Sequence, residues 1–284
     1  MKEIKCENNA GQSVSFTYDF APFHLISVEG IYKVESNVYM TDNTMIDGST
    51  YQGSTIAKRN IIITAEMMDN YQQNRDLLYK VFKPKEYGTF TYTENEETRQ
   101  IEYIAENIEI SETGVVRTVT VSLLCSDPYF KDIDDIEINM TSWIPMFEWD
   151  HEFKDEGEEF AVKDTEQIKD IDTESAADYI GITIIIAAEG NVTNPSIYHF
   201  ETNETIKVLT TLTAGQRLII TTETSNKNIY LEKDGKQEEI NALLDEDSEF
   251  IQLFNGVNTL QYDADSGAQY MNVMIVYKRR YLGV

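Results

Sequence analysis

Apolar residues along this chain fall in short runs, rich in Ile, Val, Tyr, Phe and Thr, with turn-forming residues between them. That pattern predicts strands. In the first third, strands are expected at residues 13–18, 23–28 and 30–34, punctuated by Pro22 and Gly30. Residues 41–58, TDNTMIDGSTYQGSTIAK, are polar and turn-rich and read as a long hairpin or extended arm. Residues 59–68, RNIIITAEMM, form the clearest strand, and the unbroken Ile run suggests burial on both faces. Helical spacing occurs in one stretch, 70–82, where Tyr71, Leu77, Leu78, Val81 and Phe82 gather toward one side and Pro84 stops the helix. Strands are then expected at 88–93, 99–109 and 115–125, before the SDPYF of residues 126–130.

From residue 179 the strand pattern resumes. The run YIGITIIIAAEG reads as one buried strand, with further strands at 206–212, 217–222, 227–231, 250–253, 259–262 and 271–277. Short strands at this spacing suggest a jelly-roll-like sandwich. The expected fold class is mostly β: an N-terminal β-sandwich or barrel with one helix, then a second β-sandwich. Its parts are a domain at 1–132, a segment at 133–178, and a domain at 179–275, with residues 276–284 packing back on the first domain or on a neighbour.

Charge sets the middle segment apart. Residues 131–178 carry 17 Asp and Glu against four Lys and Arg, and such density resists compaction. Residues 148–176 are therefore expected as exposed acidic loop or edge strands. The segment starts with a strand expected at 133–140 and holds both tryptophans, Trp143 and Trp149. The formal net charge of the whole chain is −27, which argues against specific nucleic-acid binding and against attraction to an anionic membrane. No apolar stretch reaches the length of a membrane span, and the N-terminal MKEIKCENNAGQ has no apolar core of a signal sequence. Two cysteines, Cys6 and Cys125, are too few for a disulfide scaffold and read as small buried hydrophobes.

Candidate chemistry is sparse, and no catalytic residue, metal ligand or cofactor is expected. His24, His151 and His199 have no second ligand at metal spacing. Neither a nucleophile elbow nor a phosphate or dinucleotide loop is present. Cys125 lies in the apolar alternation VTVSLLC, which favours burial over nucleophilic use. Carboxylates are too abundant for any pair to be diagnostic, and the clusters Asp132-Asp134-Asp135 and Asp245-Glu246-Asp247 lack the full calcium-loop pattern. Trp143 and Trp149 can pack at a seam between domains or form a platform for glycan rings.

Several stretches taken together resemble the distal tail proteins of long-tailed, non-contractile bacteriophages and their prophages. They are residues 47–67 (DGSTYQGSTIAKRNIIITAEM), 74–92 (NRDLLYKVFKPKEYGTFTY), 119–132 (VTVSLLCSDPYFKD) and 276–284 (VYKRRYLGV). The segments Asn194-Pro195-Ser196-Ile197 and FNGVNTL at 254–260 are similar to that family's second domain. Residues 141–178 match none of its motifs.

The resemblance implies a non-enzymatic structural protein of the virion tail tip, assembled in the cytoplasm of the bacterial host. It implies a self-assembled homo-hexameric ring joining the tail tube protein to the tail-associated hub protein, with DNA passing through its lumen. It also implies a galectin-like second domain that docks receptor-binding proteins or touches host glycans. On this reading Tyr51, Gln52, Arg59, Asn60 and Ile61 are expected at the inter-subunit interface, where free strand edges within 30–65 would pair with a neighbour. The competing expectations are a carbohydrate-binding module using Trp143 and Trp149, and a glycoside hydrolase.

Overall fold

A computed structural model describes residues 2–18, 22–45, 47–111, 116–141, 143–145, 161–163 and 167–284; at 143–145 and 161–163 only the backbone is described. The chain divides into two compact units, Met1–Ile133 with Arg280–Val284, and Asp134–Arg279.

The first unit begins with strands β1 (Lys2–Asn8), β2 (Ser13–Thr17), β3 (Phe23–Glu29), β4 (Ser36–Asp42), β5 (Ser49–Ile56) and β6 (Arg59–Met67). Helix α1 (Tyr71–Val81) follows, then β7 (Tyr87–Glu94), β8 (Glu97–Ile110), β9 (Arg117–Cys125) and β10 (Phe130–Asp132). The second unit holds β11 (Ile136–Asn139), β12 (Trp143–Pro145), β13 (Ala161–Lys163), β14 (Ile168–Thr173), β15 (Tyr179–Gly181), β16 (Thr183–Ala188), β17 (Val192–His199) and β18 (Glu204–Lys207). It continues through β19 (Thr211–Leu212), β20 (Arg217–Glu223), β21 (Asn226–Lys233), β22 (Lys236–Glu239), β23 (Gln252–Phe254), β24 (Gly256–Ser266) and β25 (Met271–Tyr277). The last strand, β26 (Arg280–Tyr281), belongs to the first unit.

Seven strands of the first unit close a barrel in the order β8-β7-β1-β2-β3-β6-β9 and back to β8. Closure is possible because β8 is long and bends. Its first half pairs with β7, its second half with β9, and a bulge at Glu106 separates Ala105 from Asn107 in the β9 register. Residues inside the barrel alternate with outward ones, as the two-residue period of a strand requires. On β6, Arg59, Ile61, Ile63, Ala65 and Met67 are buried, whereas Ile62 and Thr64 are only half-buried. The Ile run is therefore buried on one face, not two, because an antiparallel barrel has a single interior.

Helix α1 buries Leu78 and Val81, with Phe82 just beyond its end. Phe82 stacks obliquely between Phe16 and Tyr103, with ring centroids 6.3 and 6.1 Å away. The strand expected at 30–34 does not form. Gly30 has φ +87, and a Cβ there would sit 2.0 Å from the Asn60 carbonyl oxygen. The carbonyls of Gly30, Ile31 and Lys33 turn instead to the Arg59 side chain.

In the second unit, a six-stranded sheet (β11-β25-β16-β20-β21-β22) and a second sheet (β14-β24-β17-β18, with β19 on β17) enclose one apolar core. Ile184, Ile186, Leu218, Ile220, Val273 and Ile275 supply one side of that core, and Ile197, Ile206 and Leu260 the other. The expected single strand from Tyr179 is broken at Ile182. Gly181 there lies so close to Glu223 that a Cβ would meet its Cα at 2.5 Å, and Ile182 N–H donates to the Thr222 hydroxyl at 2.9 Å. As a result β15 pairs with β23, while β16 joins the six-stranded sheet.

The acidic stretch supplies an outer strand to each sheet, β11 and β14. In β14 the alternation IKDIDT buries Ile171 and Thr173 and turns Asp170 and Asp172 outward, so acid density and strand structure coexist. Lengths 148–160 and 164–166 fall outside the described residues.

Candidate assembly surfaces

The strand β6 opens on Arg59, whose side chain is only 5% exposed. The fork of its guanidinium reaches backbone carbonyls from separate segments. Nε donates to Pro128 at 2.9 Å, Nη1 to Gly30 at 2.5 Å and Lys33 at 2.8 Å, and Nη2 to Leu282 at 2.5 Å. Its face lies 4.9 Å from the Phe130 ring centroid. Burial lowers the guanidinium pKa from its usual value, opposed by the neighbouring Cys125. The carbonyl dipoles stand in for a counter-ion.

A second arginine repeats the motif. Arg99 donates to the Gly283 carbonyl at 2.7 Å and stacks 3.9 Å over the Tyr281 ring. Strand β26 pairs with β10, matching Phe130 with Tyr281 and Lys131 with Arg280. Arg280 also lies 3.7 Å from the Asp127 carboxylate. Residues 280–284 are thus bound into the first unit by a short ladder and two arginine forks.

The expected interface residues therefore separate into two groups. Ile61 is fully buried in the barrel core, and the Arg59 side chain is buried against carbonyls of its own chain. Strand β6 is also paired on both sides, by β3 and β9, and offers no free edge. Asn60 is exposed on the outer barrel face, where its Oδ1 accepts from Ser122 at 3.0 Å. Tyr51 and Gln52 are exposed on β5.

Among the described residues that strand pairs only with β4, making a two-stranded hairpin that no third strand joins. Every residue of β4 is exposed, including Val38 at 49%, Tyr39 at 54% and Met40 at 60%. Tyr51 is 59% exposed, and Met45, between the strands, is 96% exposed. The register runs Tyr39 to Gly53 and then Met40 to Tyr51, which makes Gln52 the extra residue of a bulge. A bulge of this kind adds twist and re-aims side chains. An isolated hairpin is marginal in water, and edge strands are normally short, charged or covered. This one is long and bare, carries a single charged residue in its strands, Asp42, and shows the apolar run Val38-Tyr39-Met40. The consecutive Val38-Tyr39-Met40, lacking the alternation of a one-sided strand, is the signal in the sequence that could have pointed to these residues.

At the foot of the hairpin lies a cleft of about 360 Å³, lined by Lys33, Val34, Ile56, Lys58, Leu124 and neighbouring residues. Trp143 sits on β12, where its backbone pairs with Lys163 of β13. Trp149 and His151 lie outside the described residues.

Two of the groups weighed for chemistry, Cys125 and His199, are buried. Cys125 has no solvent exposure, and burial pushes its thiol pKa up to about 12, so it stays protonated. His199 is also fully buried, with Nδ1 2.8 Å from the Thr202 hydroxyl. Among the described residues, no group of three His, Cys, Asp or Glu side chains is placed to hold a metal ion. No described helix is long and apolar enough to cross a membrane.

Two family domains match the chain. Residues 18–125 match the phage tail protein RIFT-related domain, and residues 178–281 match the siphovirus-type tail component, C-terminal domain. The solved structure of the SPP1 Dit protein, described as a paradigm of the hub adsorption apparatus in phages infecting Gram-positive hosts, is similar at TM-score 0.71 and 13% identity, covering 98% of this chain and 99% of that one. A chain of the phage P2 baseplate in its activated conformation with Ca is similar at TM-score 0.59 and 11% identity, with all of both chains covered. A chain of the p2 baseplate with Sr gives TM-score 0.55 at 11% identity, again over all of both chains. No curated protein matches. With both of its units matched in order along the sequence, and with the fold of the SPP1 hub protein, this chain belongs to the siphovirus distal tail protein family.

Proposed function

We propose that the chain is a non-catalytic hub of a phage tail tip or baseplate. Six copies close a ring between the tail tube protein and the tail-associated hub protein, and the ring's lumen passes DNA. The observation that carries this reading is the bare hairpin β4–β5. It displays Val38, Tyr39, Met40, Met45 and Tyr51, and among the described residues no layer of its own unit covers them. Such a surface calls for a partner. Since the hairpin and the barrel wall are different surfaces, their pairing would be head-to-tail, and head-to-tail contacts close into rings when the rotation permits. Tyr51, Gln52 and Asn60 remain the expected interface residues.

Family membership supports the tail location, and the solved relatives are hub and baseplate components. The net charge of −27 supports a wall to which DNA does not adhere. The second unit is the part proposed to dock receptor-binding proteins. Electron cryo-microscopy of the purified assembly tests the proposal. Six-fold rings with acidic side chains facing the lumen are expected; an open filament, or a lumen lined by Lys and Arg, would overturn it.

A further inference from the structure

The second unit carries an open hollow of about 540 Å³, lined by residues 175–179 with Phe254 and Asn255. Tyr179 and Phe254 are cross-strand partners in the β15–β23 ladder. Partners in an antiparallel pair project on the same face of the ladder, so two aromatic side chains share one face of the hollow. Tyr179 is 58% exposed. The Phe254 ring is backed by His199 at a centroid distance of 5.7 Å. His199 is fully buried, and burial lowers its pKa, so at neutral pH the imidazole behind that ring is uncharged.

Charge in the lining has one sign. Asp178 is exposed and lines the hollow, and among the described residues no Lys or Arg is part of that lining. Side-chain acceptors are few. Asn255 Oδ1 already accepts from the Ser175 backbone N–H at 3.1 Å, and the Ser175 hydroxyl accepts from the Ala177 N–H at 3.3 Å. Ala176 and Ala177 bring no polar side chain.

The lip of the hollow is fixed from below. Asn258 is fully buried, and its Nδ2 donates to the carbonyls of Phe254 and Gly256, both at 2.9 Å. Its Oδ1 accepts from the Phe254 N–H at 2.9 Å. Buried Thr173 donates to the same Phe254 carbonyl at 2.5 Å. A wholly buried amide thus holds one short surface loop, and a loop already ordered loses little entropy when a ligand arrives.

We propose that this hollow is a binding site for a quaternary ammonium group. Such a group spreads its positive charge over apolar methyls, which pack against the Tyr179 and Phe254 rings, whose faces carry negative quadrupole charge. The Asp178 carboxylate supplies the counter-charge. A primary ammonium fits less well. It brings three N–H donors to a lining short of acceptors, and each donor left unmatched costs free energy. A fully methylated nitrogen has no donor to satisfy. An anion would meet Asp178 with no cation in the lining to offset it, on a chain of net charge −27. The volume lies within the range of small-ligand sites. The site stands apart from the ring reading, and either can fail without the other.

The test is NMR titration and calorimetry on the full chain. The probes are choline, the amide of Nε-trimethyl-lysine, the unmethylated lysine amide, and dimethylbutanol, the uncharged carbon isostere of choline. At least one trimethylammonium probe is expected to bind, with its N-methyl protons shifted by the aromatic rings. Choline stands for a small-molecule headgroup and the trimethyl-lysine amide for a protein side chain, and the tighter of the two names the source. Tyr179→Ala and Asp178→Asn should each weaken binding by about fivefold or more, whereas Tyr179→Phe, which keeps the ring, should retain it. Unchanged thermal unfolding of these surface variants guards against misfolding. No binding by either trimethylammonium probe at about 10 mM overturns the proposal. So does binding that survives Tyr179→Ala, a lysine amide that binds as tightly as its trimethylated form, or dimethylbutanol or a neutral methyl glycoside that binds as tightly as choline.

Discussion

Arg59 donates through Nη2 to the carbonyl oxygen of Leu282, 2.5 Å away across 223 residues of sequence. The same guanidinium holds Gly30, Lys33 and Pro128. One side chain therefore ties the start of β6 to the turn after β3, the loop before β10 and the returning end of the chain. Removing it leaves several carbonyls short of a donor, which costs far more than a surface bond is worth. Arg59→Met is expected to destabilise the first unit by about 3 kcal/mol in urea unfolding. Arg59→Lys should recover only part of this, because an ammonium lacks the planar fork. A Met variant as stable as the parent would contradict the reading.

Deleting residues 280–284 removes β26, the Leu282 and Gly283 acceptors, and the Tyr281 ring beneath Arg99. The first unit should lose about 2–4 kcal/mol, while the unfolding of the second unit, followed separately by calorimetry, stays in place. A loss confined to the second unit would show the tail to be misassigned.

Asn258→Ala should destabilise the second unit by about 2–3 kcal/mol, since it strips donors from the carbonyls of Phe254 and Gly256 and an acceptor from the Phe254 N–H. Hydrogen exchange at residues 254–256 should accelerate in parallel. An unchanged exchange pattern would mean that the loop is held by other means.

Much of the fold is legible in the sequence because the two-residue period is strong in it. Most of the β strands of both units and helix α1 lie close to where the apolar spacing puts them, although β1, β17 and β22 form where no strand is expected. What escapes is long-range. Nothing local marks Arg59 as a buried clasp, because its acceptors are backbone carbonyls, which any residue provides. The turn at 30–34 reads as a strand for the same reason. The acidic segment hides β14 because Asp170 and Asp172 dominate its composition, while Ile171 and Thr173 carry its inward face. Of the interface residues, the exposed pair Tyr51 and Gln52 was visible as part of a polar arm. Burial of Ile61 depends on which face of β6 meets the barrel interior, and the Ile run leaves that ambiguous.

Burial lowers the pKa of His199 below its ordinary 6.5, with Glu201 and Glu204 opposing. As pH falls through 6.5 the unfolded imidazole takes a proton that the folded one refuses. The unfolded state then binds more protons, so stability falls with acidification from pH 6.5 down to the folded value and is insensitive to this group above 6.5. Urea unfolding of the second unit between about pH 5 and 7 should show that slope. His199→Asn should flatten it. A slope that persists in the variant would assign the effect to other groups.

On the proposed function the bare hairpin builds a ring. Sedimentation equilibrium of the 32.6 kDa chain over a wide concentration range, beside a variant in which Tyr39, Met40 and Tyr51 are all changed to Ser, tests it most directly. A closed hexamer is expected for the parent and a monomer for the variant, with both units still folded. A parent that stays monomeric throughout, or a variant that assembles equally well, would contradict it.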